Sequence, residues 1–349
     1  MSASLTALQR DRLKLLLRVT AVSAGVGAVY GALLRTGATI AVGILTGVLN
    51  GILIAAAVGA IEIFLLREGT SMKRLVRLPF VAVVLLKSLV YGAIVCAAIA
   101  GAPYLAQLLP GVAPPAPLKS RAALVTLGFS LGTTLIFVIV LQAAGLVGRR
   151  TFRDLVMGRY RQPRAERRFF LFVDVIGSTA IAERLGPLEA HRFLAAVFSA
   201  AAEPVAASRG EIYQYVGDEI VVTWTEEEGR IGARPLRCFF LMEESLSKLK
   251  EQFQERFFTE AGLRAALHLG DVIAGEIGEQ RRAIVFHGDV MNTAARLEQA
   301  TRDLGVRFIA SADALSALGP QPDMALNDLG ALTLRGRREP IRAWGVESR

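Results

Sequence analysis

The sequence predicts an α+β domain in its second half, preceded by an all-α domain of four membrane helices. The 349 residues fit about two domains of ordinary size, and the composition changes sharply near residue 150. Before that point Ala, Leu, Val, Ile and Gly form long runs, whereas after it short strand-like runs alternate with helical patterns. We therefore expect a transmembrane domain at 1–147, a linker at 148–167 and a cytoplasmic domain at 168–349.

Four apolar stretches in the first half are long enough to cross a bilayer, which takes about 20 apolar residues. They cover residues 15–34, 38–66, 79–100 and 122–147. A signal peptide is the alternative for the first stretch, but no clear small-residue cleavage site follows it and further spans come at once. We expect a multi-pass protein of the inner (plasma) membrane, embedded in the lipid bilayer.

Basic residues at the ends of these stretches predict the orientation, because Lys and Arg of short loops stay on the cytoplasmic side. They cluster at the N-terminus, after the second stretch and most densely after the fourth. The N-terminus and the C-terminal domain are therefore both expected in the cytoplasm. The clusters also account for most of the net charge of +9 and favour anionic lipid headgroups over nucleic acid as the partner.

Glu62 and Lys87 are ionisable residues within the predicted spans. Charge is costly in lipid, so such residues pair with one another or serve a function. The sequence leaves open whether they join the second and third helices or line a pocket that senses a ligand or ion. Cys96 and Cys238 differ in setting and predict neither a disulfide nor a zinc site.

The linker at 148–167 is basic and includes an apolar stripe with helical spacing. The stripe comprises Phe152, Leu155, Val156 and Met157. Two interpretations stay open, a short amphipathic helix on the membrane surface and an element that couples the two domains.

In the C-terminal domain the first predicted elements follow the order βααββαβ, which is typical of a ferredoxin-like sheet with helices on one face. Strands are predicted at 168–175, 211–216, 219–224, 263–269, 283–286, 306–309, 332–334 and 342–346. Helices are predicted at 178–185, 188–208, 231–257 and 290–300.

A first chemical motif lies where the strand at 168–175 ends. Asp174 follows four apolar residues, and Gly177 leads into a helix that opens at Ser178 or Thr179. Free amides at a helix N-terminus bind phosphate, so metal and phosphate are expected within one turn of each other. Taken alone, the segment fits a simple helix cap equally well.

A second aspartate, Asp218, lies in the turn between two predicted strands. A plain Gly-Asp β-turn is the alternative for this segment. With Asp174 on an adjacent strand, however, the two carboxylates could converge on divalent metal. The next residue, Glu219, is predicted to be an exposed strand residue.

A third segment begins with His287, Gly288 and Asp289 and places Asn292 and Arg296 at i and i+4. Residues at this spacing share one helix face. A polar face in solvent is the alternative, but it leaves the preceding turn unexplained.

Together the three segments resemble the class III nucleotidyl cyclases, the adenylate/guanylate cyclase family, in a membrane-anchored form. The resemblance implies the class III catalytic fold and in-line attack of the ribose 3′-hydroxyl on the α-phosphate, with two Mg²⁺ or Mn²⁺ ions per site. It implies that Asn292 orients the ribose and that Arg296 binds the α-phosphate. The implied metal residues are Asp174, Val175 and Asp218. The implied phosphate-binding residues are Ile176, Gly177, Ser178, Thr179, Arg335 and Arg337. An ordinary basic hairpin is the alternative for the last two.

In this family the metal aspartates and the Asn/Arg pair of one site come from different polypeptides. This chain carries both sets, so the resemblance implies a homodimer with two composite sites and an inert monomer.

Gln214 and Val285 occupy the two positions with which the family selects the base. Adenylate cyclases usually have Lys with Asp or Thr there, and guanylate cyclases Glu with Cys. The resemblance favours an adenylate cyclase that uses ATP, since the guanine-type pair is absent. A guanylate cyclase, a diguanylate cyclase and a catalytically silent nucleotide-binding domain beneath a membrane receptor stay open as alternatives.

Overall fold

The computed structural model describes residues 7–34, 40–62, 80–106, 121–279, 282–337 and 339–349. The chain divides into two compact units, Met1–Leu146 and Val147–Arg349. In the described part of the first unit the helices are α1 (Ala7–Leu34), α2 (Ile40–Ala60), α3 (Phe80–Ala106) and α4 (Arg121–Val147). Parts of the second and third predicted spans, and the basic segment between them, lie outside the described residues.

Two of these helices contain a segment long and apolar enough to cross a membrane, Leu13–Leu33 in α1 and Ile40–Ala60 in α2. The apolar segments of α3 and α4, Leu86–Ala102 and Leu124–Val140, are shorter. Two such helices only weakly suggest membrane anchoring, because a signal sequence or a buried core helix has the same composition. The four-span membrane domain therefore stays a prediction.

Helices α1 and α2 pack with their backbones in contact. A Cβ atom added at Gly31 would overlap the carbonyl group of Gly43, and the same holds for Gly27 against Gly47. Small residues at such positions let two helices approach closely, a common arrangement among membrane helices.

Glu62, just beyond α2, pairs with two side chains of α3. The Lys87 ammonium group donates to both carboxylate oxygens at 2.8 and 2.9 Å, and the Tyr91 hydroxyl donates to Glu62 Oε1 at 2.6 Å. This is the geometry of the predicted ion pair between the second and third helices. A ligand- or ion-sensing pocket at the same residues stays an alternative prediction.

The described residues of the second unit form eight strands. They are β1 (Arg164–Val175), β2 (Glu211–Val216), β3 (Glu219–Thr225), β4 (Leu263–Ile277), β5 (Ala283–His287), β6 (Phe308–Ser311), β7 (Met324–Leu332) and β8 (Ile341–Ser348). Its α-helices are α5 (Arg149–Val156), α6 (Ser178–Leu185), α7 (Pro187–Ala207), α8 (Glu226–Arg230), α9 (Arg234–Lys248), α10 (Lys250–Phe257), α11 (Asp289–Leu304) and α12 (Ala312–Leu318).

All eight strands form one sheet in the order β2-β3-β1-β4-β6-β8-β7, with β5 paired to β4. The first four strands therefore lie in the order of a ferredoxin-like sheet, as predicted. Strand β1 is central and pairs antiparallel with β3 on one side and β4 on the other. This places the end of β1 between two neighbouring strands.

The helices of the predicted βααββαβ core pack on one face of this sheet, as expected, and α11, which follows that core in the chain, covers the other face. Alternate β1 residues such as Phe169 and Leu171 pack in the core with α7 and α9, whereas Phe170 and Phe172 pack against Val290 of α11. Eight consecutive residues of β1 are buried as a result. A continuous apolar run is what a strand covered on both faces requires.

The linker region forms the amphipathic helix α5, which is hydrogen-bonded to a charge network around the buried Arg168 of the sheet. The guanidinium group of Arg168, 1% exposed, donates to Glu166 at 2.9 Å and to Glu211 at 3.1 Å. The Thr151 hydroxyl of α5 donates to the other carboxylate oxygen of Glu211 at 3.2 Å. Val156 and Met157 at the end of the stripe are exposed.

Several predicted boundaries differ from the observed ones. Strand β4 continues eight residues beyond its predicted end at 269, because residues 270–274 pair with the start of β1 and residues 273–277 pair with β5. The helix predicted at 231–257 is divided, since Leu249 separates α9 from α10. Helix α12 and most of β7 were not predicted.

We expect the buried His268 to make the second unit less stable in acid. Burial lowers the pKa of His268 to about 4, and its Nδ1 lies 2.8 Å from Ser311 Oγ. The unfolded imidazole takes up a proton near pH 6.5, whereas the folded one does not until about pH 4, so stability falls as the pH drops across this window. Between pH 7 and pH 5 the loss should be roughly 2 kcal/mol.

This dependence can be measured by urea unfolding followed by tryptophan fluorescence, because Trp224 and Trp344 both lie in the second unit. The His268→Gln variant should be destabilised at pH 7 and should approach the wild type at pH 5. A stability difference independent of pH would contradict the expectation.

Candidate active site

Asp174, the first motif aspartate, lies near the end of β1 with its side chain buried. It is 3% exposed, and it faces Glu219 of β3 on one side and Arg264 of β4 on the other. Two residues later the Ile176 amide donates to the Gly262 carbonyl at 2.9 Å. The Ile176 amide is therefore already hydrogen-bonded. The backbone amides that could bind an anion at the start of α6 belong to the residues that follow Ile176.

Asp218 lies in the turn between β2 and β3, next to the start of α6. The Ser178 hydroxyl donates a hydrogen bond to Asp218 Oδ2. Gly177 and Gly217 have φ angles of 70° and 61°, a left-handed conformation that favours glycine. The two turns thus bring the two predicted carboxylates, Asp174 and Asp218, to one place.

The proximity of the two carboxylates changes their proton affinities. Burial raises the pKa of Asp174, and the negative charge of Asp218 adds to this effect. Burial also acts to raise the pKa of Asp218. Hydrogen bonds from Ser178 and Asp174 outweigh burial there, so the pKa of Asp218 is lowered. A positive charge placed between the two groups would relieve their repulsion.

Two arginines that the sequence analysis did not single out contact Asp174. Arg264 Nε and Arg302 Nη2 each lie 2.9 Å from Asp174 Oδ2. Glu298, one turn before Arg302 on α11, faces both arginines at 3.5 and 3.9 Å. The i,i+4 spacing of Glu298 and Arg302 could have been recognised in the sequence as a pair on one helix face. Their position beside a strand more than 120 residues earlier could not.

Glu219 is partly buried, so its prediction as an exposed strand residue is wrong. Burial and then the negative charge of Glu298 raise the pKa of Glu219 to about 7. Burial and then the charge of Asp174 raise the pKa of Glu298 to about 6. The whole group, here called the Asp174 cluster, comprises Asp174, Asp218, Glu219, Arg264, Glu298 and Arg302.

Among the described residues, no group of three or more His, Cys, Asp or Glu side chains is arranged to hold a metal ion. The two side chains that the sequence predicts as metal ligands are the carboxylates of Asp174 and Asp218. Val175, the third predicted metal residue, has a buried side chain in the core.

Asn292 and Arg296 lie in the first half of α11, where Asn292 is exposed and Arg296 partly buried. A Cβ atom added at Gly336 would lie 3.4 Å from Arg296 Nη2, so the guanidinium group touches the turn that holds Arg335 and Arg337. Arg337 Nη1 donates to Asp289 Oδ2 at 2.6 Å. The predicted phosphate-binding arginines therefore gather beside α11.

Helix α11 presents Glu298 and the predicted residue Arg296 on different faces. Glu298 faces Arg264 and Arg302, the two arginines that contact Asp174, and Arg296 comes two residues earlier. Two residues correspond to about 200° around a helix of 3.6 residues per turn, so Arg296 points almost directly away from Glu298. Within one chain, Asp174 and Arg296 are therefore not brought together.

The predicted base-selecting residues lie on β2, which pairs with β3, and on β5, which pairs with β4, and aromatic side chains of these two strands meet. The rings of Tyr213 and Phe286 are in contact, with centroids 5.0 Å apart. Gln214 and Val285 are their sequence neighbours, on β2 and β5. Gln214 is exposed and Val285 partly buried.

Residues 162–347, rather more than half of the chain, match the family model described as the adenylate and guanylate cyclase catalytic domain. This chain belongs to that family. The predicted membership of the class III cyclases is confirmed, and the second unit is called the cyclase domain below.

Two relatives from Rhizobium meliloti (strain 1021) are similar to this chain. Adenylate cyclase 2 is 38% identical over 213 residues, covering 61% of this chain and 59% of that protein. Adenylate cyclase 1 is 29% identical over 180 residues, covering 50% of this chain and 27% of that protein. The chain thus spans less than two thirds of the length of either relative.

A solved structure of a bacterial light-regulated adenylyl cyclase superposes with a TM-score of 0.54 at 19% sequence identity. The match covers 67% of this chain and 68% of that chain. At 19% sequence identity, this similarity is evidence for the fold alone. The α+β catalytic fold predicted for the C-terminal domain is confirmed.

Proposed function

We propose that this protein is an adenylate cyclase, which converts ATP to 3′,5′-cyclic AMP and pyrophosphate. Family membership and the names of the two Rhizobium relatives support this activity. The observation that carries it is the convergence of Asp174 and Asp218 beside the start of α6, while α11 presents Asn292 and Arg296 on a separate face. These are the groups that cyclisation of a nucleoside triphosphate needs.

Asp174 and Asp218 fit Mg²⁺ or Mn²⁺, of which we propose two per site, with Val175 adjoining them. Carboxylate oxygens are the donors these ions prefer. Burial and then the negative charge of Asp218 raise the pKa of Asp174, and a cation between the two carboxylates would relieve their repulsion. Bound divalent ions supply positive charge against the triphosphate and make the ribose 3′-hydroxyl easier to deprotonate.

The remaining residues bind and orient the substrate. Backbone amides of Gly177, Ser178 and Thr179 at the start of α6 suit phosphate oxygens. Asn292 holds the ribose in the attacking orientation, and Arg296 stabilises the charge that develops at the α-phosphate. Arg335 and Arg337, on the turn that touches Arg296, are placed for the outer phosphates.

The active form is a homodimer in which each site takes its two aspartates from one chain and its Asn292 and Arg296 from the other. The opposite directions of Glu298 and Arg296 on α11 support this arrangement. One helix can then serve two sites, its Glu298 face toward its own Asp174 and its Arg296 face toward the partner. A symmetric dimer contains two such sites.

Residues 1–147 anchor the enzyme in the plasma membrane, with the cyclase domain in the cytoplasm. The two long apolar helices and the basic residues that follow α4 support this location.

The substrate is tested by incubating the detergent-solubilised chain with Mn²⁺ and either ATP or GTP and identifying the cyclic product by mass spectrometry. We expect cyclic AMP, with kcat/KM for ATP at least about tenfold above that for GTP, a difference of roughly 1.4 kcal/mol in transition-state binding. The variant Gln214→Glu/Val285→Cys, which carries the guanine-type pair, should shift this ratio toward GTP.

Faster turnover of GTP by the wild type would identify a guanylate cyclase instead. Binding of nucleotide without any product would favour the catalytically silent regulatory domain.

A further inference from the structure

We propose that Arg302 is a displaceable counter-ion of Asp174, which competes with divalent metal and so sets the metal concentration at which the site fills. This inference rests on the proposed role of Asp174 as a metal ligand. It concerns the regulation of that site, through a residue that touches Asp174 from the last turn of α11.

The two arginines at Asp174 differ in their freedom to move. Both lie 2.9 Å from the same oxygen, Asp174 Oδ2. The Arg264 side chain is 16% exposed and lies on β4 directly opposite Asp174, whereas the Arg302 side chain is 53% exposed. Arg302 can therefore turn into solvent at little cost, while Arg264 is held by the sheet.

A receiving group for Arg302 lies next to it. Glu298 Oε1 is buried and, among the described residues, has no hydrogen-bond partner. It lies 3.9 Å from Arg302 Nη2, one helical turn earlier on α11, and 3.5 Å from Arg264 Nε, beyond good hydrogen-bond geometry in both cases. A small rotation of the Arg302 side chain would exchange its bond to Asp174 for one to Glu298, and would satisfy a buried acceptor that is otherwise costly.

A cation at Asp174 and the Arg302 guanidinium group repel each other and compete for the same carboxylate. On this proposal, metal binding weakens or breaks the Arg302–Asp174 ion pair, and the free energy of that change is subtracted from the affinity for metal. Because Arg302 is half exposed, solvent weakens that pair, and its effect on affinity should be moderate. Removing the charge of Arg302 should tighten metal binding.

The test is a titration of Mn²⁺ alone into the purified full-length chain, with free Mn²⁺ measured by electron paramagnetic resonance. The Arg302→Gln variant should bind Mn²⁺ about three- to tenfold more tightly than the wild type, which corresponds to roughly 0.6–1.4 kcal/mol. Arg302→Lys, which keeps the charge, should stay close to the wild type. The matched control is Arg192→Gln, an exposed arginine of α7 paired with Glu189, and its affinity should not change.

A double-mutant cycle separates the exchange of partners from simple charge effects. Glu298→Gln should weaken Mn²⁺ binding in the wild type, and by a smaller factor when Arg302 is already Gln, because no arginine then needs the receiving group. If Glu298→Gln changed the Mn²⁺ affinity by the same factor in the wild type and in the Arg302→Gln variant, Glu298 would not be the group that receives Arg302. The proposal would also be overturned if the Arg302→Gln variant bound Mn²⁺ no more tightly than the wild type. An Asp174→Asn chain that binds Mn²⁺ like the wild type would instead refute the proposed metal site itself.

Discussion

Replacing Asp174 with asparagine is expected to reduce cyclic nucleotide formation at least about a hundredfold, because a neutral amide is a poor ligand for a divalent ion. The substitution preserves the shape of a side chain that is 3% exposed, so the lost group is a charge rather than a volume. Product formation by the purified variant in Mn²⁺ and ATP is the measurement.

Loss of fold is a competing explanation for an inactive variant, since Arg264 and Arg302 each lose an anionic partner. Tryptophan fluorescence during urea unfolding reports whether the cyclase domain is intact. Asp328→Asn provides the matched control, because Asp328 pairs with Arg342 on the exposed edge of the sheet. Its activity should equal that of the wild type, and a folded Asp174→Asn enzyme with full activity would refute the metal assignment.

Mixing two inactive chains is expected to restore activity if the sites are composite. In a dimer of one Asp174→Asn chain and one Arg296→Gln chain, one site contains both lesions and the other contains neither. Random pairing of equal amounts makes half of the dimers mixed, so about one quarter of wild-type activity should return. Co-expression of differently tagged chains, followed by tandem purification, allows the mixed dimer to be measured directly.

The matched control combines Asp174→Asn with Asp218→Asn. Both substitutions affect the same half of a site, so every site in the mixed dimer keeps one lesion and activity should stay low. Restoration by both pairs, or by neither, would contradict the composite arrangement.

Features that depend on residues close together in the chain could be predicted from the sequence. The segments around Asp174, Asp218 and Asn292 each carry a local pattern, an apolar run into a glycine turn or a fixed helical spacing. Such patterns are set by backbone geometry within a few residues. For the same reason most strand and helix positions of the ferredoxin-like core could be predicted.

Features that depend on distant contacts could not be predicted in the same way. Arg264 and Arg302 reach Asp174 from residues 90 and 128 positions away in the chain, and no local pattern indicates that meeting. Strand β7 was missed because its polar Asn327 and Asp328 and the following Gly330 interrupt the apolar alternation. Its identity as a strand depends on pairing with β8.

The two candidate metal aspartates belong to backbone segments that differ in rigidity. Asp174 belongs to a strand that is hydrogen-bonded on both edges and covered on both faces, whereas Asp218 lies in the turn that joins the outermost strand to its neighbour. Local opening costs least where few contacts hold the backbone. We therefore expect the gap between the carboxylates to widen or narrow through the β2–β3 hairpin. Tolerance for ions of unequal radius, such as Mg²⁺ and Mn²⁺, would then be decided by that hairpin.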